Sequence, residues 1–112
     1  MSNTVKEQES YTLVNIFTPL SGRLDDLLAI QLAETQEMRA EASEQGWLSN
    51  EVYRATDGSR LVVVTRFRSE DAQAAWRQSS TFAAHLDRIG PLIETVVSIP
   101  VQLMAKHEGP TE

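Results

Sequence analysis

His85 is the side chain in this 112-residue sequence best suited to move a proton. An imidazole with an ordinary pKa near ~6.5 serves as a base at neutral pH. Its neighbours Phe82, Ala84 and Leu86 equally suit a half-buried, hydrogen-bonded histidine with no chemical role. Asn15 interrupts the apolar run Tyr11 to Thr18, and an amide buried there needs a partner, either a neighbouring backbone group or a ligand. Trp76 follows Ala74 and Ala75; its ring can fill a core or wall a pocket. Arg66, between Thr65 and Phe67, could hold an anionic substrate or form a surface ion pair. Tyr53 could give a proton to a developing oxyanion or pack across strands. His107 lies in a polar C-terminal stretch and is expected to be inert.

Composition narrows the chemistry. There is no cysteine, so disulfides, thiolate metal ligands, iron–sulfur clusters and cysteine nucleophiles are all excluded. No cluster with metal-ligand spacing stands out either, and redox chemistry would have to come from a substrate or a bound cofactor. A formal charge of −6 with no basic run disfavours binding to a nucleic-acid backbone. The longest apolar run, Leu61 to Val64, is far below the ~20 residues that span a bilayer. Met1 to Ser10 is polar and carries Lys6, Glu7 and Glu9, unlike a signal peptide, so the cytoplasm is the expected location and no membrane partner is expected. One domain is expected over residues 10–104, with flexible tails at 1–9 and 105–112, too polar to offset the entropy of ordering.

The elements that must position these side chains follow from periodicity. Tyr11 to Thr18 is rich in β-branched and aromatic residues and reads as a strand, with Leu13, Asn15 and Phe17 on one side and Val14 and Ile16 on the other. A helix is expected from about Leu24 to Ser43, with Leu24, Leu27, Leu28, Met38 and Ala42 on one stripe and Gly46 ending it. Gln31 and Thr35 fall on the same stripe, where they either reach water at its edge or line a pocket. Asp25, Asp26, Glu34, Glu37 and Glu41 read as a solvated face. Trp47 to Thr56 and Arg60 to Phe67 form a hairpin around Asp57-Gly58-Ser59. Ser69 caps a helix reaching about Gln78, Ser79-Ser80 interrupts it, and a short helix continues to Gly90-Pro91. Val96 to Met104 supplies the last strand, with Pro100 favouring an edge position or a bulge.

The order β-α-β-β-α-β is the ferredoxin-like arrangement, an α+β fold with a four-stranded antiparallel sheet. Helices on one face leave the other bare, and that bare face carries apolar residues. Pairing two such sheets face to face would bury them, so a homodimer is expected.

With the elements in place, the sequence resembles the antibiotic-biosynthesis monooxygenase family. The resemblance rests on the strand Leu13-Val14-Asn15-Ile16-Phe17-Thr18-Pro19, on Gly46-Trp47-Leu48, on Ser69-Glu70-Asp71-Ala72, and on the segment Trp76 to His85. It implies a dimeric α+β barrel and an oxygenase using neither metal nor flavin, acting with dioxygen on a small aromatic or quinone-like substrate. On that reading His85 and Asn15 stand nearest the chemistry, with Trp76, Phe17, Gln31, Thr35 and Arg66 as substrate contacts. One branch of the superfamily degrades haem using a strand Asn, a Trp and an iron-ligating His, a pattern to which Asn15, Trp76 and His85 correspond; haem is therefore the alternative cofactor. A non-catalytic small-ligand-binding barrel is the alternative outside catalysis.

Overall fold

A computed structural model describes Ser10 to Pro110. The expected tail at residues 1–9 and the last two residues lie outside this range, and Ala105 to Pro110 has no regular secondary structure. The elements are β1 (Tyr11–Pro19), α1 (Leu24–Glu44), β2 (Trp47–Arg54), β3 (Leu61–Phe67), α2 (Glu70–Arg77), α3 (Ser80–Ile89), a 3-10 turn (Gly90–Leu92) and β4 (Ile93–Val101). All strand pairs are antiparallel, in the order β2-β3-β1-β4. This is the ferredoxin-like fold, with its second helical region in two pieces. No helix among the described residues is long and apolar enough to cross a membrane.

The register fixes which side chains share a face. Asn15 is opposite Val63 on β3 and Ser98 on β4, and Phe17 is opposite Leu61. Because side chains alternate, Leu13, Asn15, Phe17, Val63, Thr65 and Phe67 all face the helices. Val14, Ile16, Val62, Val64, Arg66, Val97 and Ile99 turn to the other, open face. Phe17, Leu27, Leu61, Ile89 and Leu92 form one buried cluster beneath the helices, and Ala42, Phe67 and Trp76 form a second.

Local chemistry sets the ends of the elements. Asp57 Oδ1 accepts the Ser59 N–H at 2.9 Å, and Gly58 has φ +76°, which closes the β2–β3 hairpin. β2 stops at Arg54 rather than Thr56, because Ala55 already closes the turn by donating to the Arg60 carbonyl at 2.9 Å. Ser69 Oγ accepts the Ala72 N–H and Ser79 Oγ the Phe82 N–H, each at 3.1 Å, so the interruption at Ser79 is the N-cap of a new helix. Such caps contribute about 1 kcal/mol each.

The last strand lies three residues earlier than its sequence suggested. Ile93 reaches Pro19 across an irregularity at Thr18/Pro19, and pairing ends with Thr12 opposite Val101, where β1 itself begins. Pro100 lies on this edge strand, as expected for a residue without an N–H donor. Gly46, just beyond α1, has φ +103°, and a Cβ there would stand 2.6 Å from Ala72 Cβ. Glycine is required twice over at that position, for its backbone angle and for the close approach of α2.

Candidate active site

α1 packs on the sheet through Leu24, Leu27, Gln31, Glu34 and Ala42, all buried. Steps of three, four, three and eight between them trace one helical stripe, so two polar residues lie on the inward side. Glu34 is therefore not on a solvated face: it is 8% exposed. Opposite it, α3 turns His85 and Ile89 inward, and His85 is 3% exposed. Its Nδ1 lies 2.6 Å from Glu34 Oε1, and Arg88 Nε donates to Glu34 Oε2.

This trio fixes the state of the imidazole. Burial pushes the Glu34 carboxyl up, but hydrogen bonds from His85 and Arg88, with the charges of both partners, outweigh it and hold the group below its ordinary 4.5. An ionised carboxylate only accepts, so Nδ1 carries the proton and donates to it. In the neutral imidazole Nε2 then carries the lone pair, and it has no partner among the described residues. The arrangement is that of a general base oriented by a carboxylate.

Asn15 is held with comparable definition. Ser98 Oγ donates to its Oδ1 from the neighbouring strand, which leaves the amide Nδ2 hydrogens as free donors. Asn15, Phe17, Gln31, Thr35, Trp76 and His85 all line one cavity of about 100 Å³ between sheet and helices. It borders both core clusters. The rings of Trp76 and Phe82 stand 6.0 Å apart at 50°, and Phe82 lies 6.0 Å from the His85 ring, giving an aromatic wall. A larger groove of about 490 Å³ adjoins it between β4 and the α2–α3 pair, sharing Asn15, Phe17, Arg77 and Phe82.

Arg66 is not brought to this cavity. Thr65 and Phe67 face the helices, so strand alternation turns Arg66 to the open face, where it pairs with Glu51 at 3.2 Å. Tyr53 lies on the same open face, half exposed. Trp47 lines the cavity beside Trp76, as do Arg39, Gln73 and Arg77. Sequence reasoning missed Glu34 above all. The signal was present, since 27, 31, 34 and 38 follow the helical stripe, but the charge was read as facing water.

Sequence comparison identifies the family to which this fold belongs. The sequence model for "antibiotic biosynthesis monooxygenase" matches residues 10–88. The chain belongs to the antibiotic biosynthesis monooxygenase family. No curated protein matches it. Among solved structures, this family member is similar to a Mycobacterium tuberculosis protein at 24% identity and TM-score 0.73, covering 88% of this chain and 99% of that one. It is similar to a Caulobacter crescentus protein described as a candidate antibiotic biosynthesis monooxygenase, at 16% identity and TM-score 0.74, covering 92% and 97%. A Chloroflexus aurantiacus protein so described matches at 18% identity and TM-score 0.70, covering 88% and 97%. At these identities the likeness is one of fold.

Haem, the alternative cofactor, would need Asn15, Trp76 and His85 together to border a larger space than they do in this structure. Pockets for drug-sized ligands run to about 300–1,000 Å³, and a porphyrin is no smaller than such ligands. The space that holds His85 and Trp76 is about 100 Å³. The groove of sufficient size is lined by neither of them.

Proposed function

We propose that this family member is an oxygenase that needs no cofactor and acts on a small aromatic or quinone-like substrate with a ring hydroxyl. The observation that carries the reading is the Glu34–His85 pair, with imidazole Nε2 left as the base in a cavity that also holds the free amide donors of Asn15. His85 Nε2 takes the hydroxyl proton, and Asn15 Nδ2 donates to the phenolate oxygen as its charge develops. The electron-rich anion transfers one electron to dioxygen, and the radical pair joins at a ring carbon as a peroxide anion, which takes a proton back from His85. Loss of the hydrogen on that carbon with cleavage of the O–O bond releases water and leaves a carbonyl. Substrate and dioxygen thus give quinone and water, with one oxygen atom in each. The apolar and aromatic wall excludes bulk water from the anion.

The same reading includes a homodimer joined through the open sheet face. Tyr53, Val97, Ile99 and Val101 are all more than two-fifths exposed there, although each lies in a strand. A contiguous apolar face of this kind marks an interaction surface.

Oxygen uptake by the full chain with a panel of hydroquinones and naphthols tests the activity. The expected result is turnover above autoxidation, one labelled oxygen atom from ¹⁸O₂ in the product, and the same rate after exhaustive chelation. Turnover that appears only on adding flavin, haem or a metal ion would overturn the cofactor-free reading, and no turnover would overturn the oxygenase.

A further inference from the structure

Two features of the cavity play no part in the proton transfer above. The first is Gln31, 7% exposed, whose Nε2 donates to Thr35 Oγ1 at 3.5 Å while its Oε1 is buried without any partner. It is the one buried side-chain oxygen or nitrogen left unpaired among the described residues. An unpaired buried carbonyl is costly, so it calls for a donor from a water or a ligand. Gln31 lines the cavity, and a carbonyl oxygen only accepts. What fills the site should therefore bring a donor.

The second feature is charge. In a chain of formal charge −6, no carboxylate lines the cavity, yet Arg39 and Arg77 do. Arg23, Arg54, Arg66 and Arg88 each hold a carboxylate, whereas neither cavity arginine has a partner among the described residues. Arg77 also borders the larger groove. A dry cavity of about 150 Å³ is needed for a benzene-sized ligand, so the inner space of about 100 Å³ does not enclose a whole ring by itself. Part of the ligand would then extend past Arg77 into the groove, whose lining holds one carboxylate, Glu94.

We propose that the site selects a dihydroxylated aromatic carboxylate: one hydroxyl faces His85, a second donates to Gln31 Oε1, and the carboxylate pairs with Arg77. This deepens the oxygenase reading and rests on it for the placement of the first hydroxyl. Gln31 and Arg77 are then specificity residues, one for a donor and one for an anion.

Anaerobic calorimetric titration of the full chain with three probes tests the assignment: 2,5-dihydroxybenzoate, 2,5-dimethoxybenzoate, which lacks both donors, and hydroquinone, which lacks the carboxylate. The dihydroxy acid should bind about tenfold or more tightly than either analogue, since one has lost both hydroxyl donors and the other the carboxylate that pairs with Arg77. Arg77→Ala, at an exposed position, should abolish the advantage over hydroquinone only, and Gln31→Met should abolish most of the advantage over the dimethoxy acid. Equal affinities, a preference for the dimethoxy acid, or no binding by any probe would overturn the proposal, as would an advantage indifferent to Arg77→Ala. Because the titration excludes oxygen, the two readings separate. Selective binding without aerobic turnover would sink the oxygenase alone, and turnover of neutral hydroquinones without selectivity would sink this inference alone.

Discussion

Asn15 and Arg66 lie on adjacent strands of one sheet, yet they belong to different environments. Asn15 faces the helices, where Ser98 fixes its amide and its donors border a cavity. Arg66 faces the open side and spends its charge on Glu51, at a half-exposed pair. Polar groups on the covered face are few and individually positioned. On the open face, apolar side chains stay exposed and the ion pair lies among them. The covered face carries a lined cavity, the open face an exposed apolar surface.

The sharpest way to break this contrast is to remove Glu34. Glu34→Ala would leave the buried His85 Nδ1–H without its acceptor, and we expect a loss of about 2–4 kcal/mol in urea unfolding, since removing one member of a buried pair strands the other. A change under ~0.5 kcal/mol would mean that the covered face is no more exacting than the open one.

Next comes Asn15→Ala. It should lower the turnover number of the proposed oxygenase reaction about 10²-fold, the usual scale for deleting one oxyanion donor, with KM much less affected. An unchanged turnover number would remove Asn15 from the chemistry.

The third effect is on pH. The folded Glu34 carboxyl titrates below its ordinary 4.5, so its contribution to stability is complete above that value and is lost as pH falls through the lower, folded value. Glu34→Gln should therefore flatten the acid limb of stability against pH, read by melting temperature between about pH 6 and pH 3. An unaltered slope would contradict the ion pair. The smallest effect is expected on the open side, where Arg66→Ala should change stability by less than about 1 kcal/mol. There Val97→Asp should instead turn a sedimenting dimer into monomer. A wild-type monomer at micromolar concentration would refute the dimer outright.

Much of the architecture was legible because it is written in local rules. Alternation in Tyr11 to Thr18, the Asp57-Gly58 turn, and the serines at 69 and 79 each act within a few residues, and they appear where those rules put them. The start of β4 was not legible, because the pairing of Ile93 with Pro19 depends on a register shift between strands far apart in sequence. The same holds for the site. Asn15, Trp76 and His85 could be named one by one, but Glu34 is recognisable as a partner only once α1 and α3 are packed together. Arg66 was misplaced for a related reason: alternation puts it opposite Thr65, but which side held the helices was fixed only by the packing of Phe17, Val63 and Phe67.

Gly46 also bears on how quickly the cavity can admit anything. A Cβ at Gly46 would stand 2.6 Å from Ala72 Cβ, so the start of α2 packs closely on the backbone that enters β2. Room for a ligand larger than the resting space must come from farther along that wall, where Gln78 and Ser79 separate α2 from α3. We expect this joint to act as the hinge, breathing on the microsecond-to-millisecond scale usual for helix displacements. Amide exchange should then be faster at residues 78–80 than at residues 70–73, and the rate of ligand entry should follow the joint. Equal protection across both segments would mean that α2 and α3 move as one body.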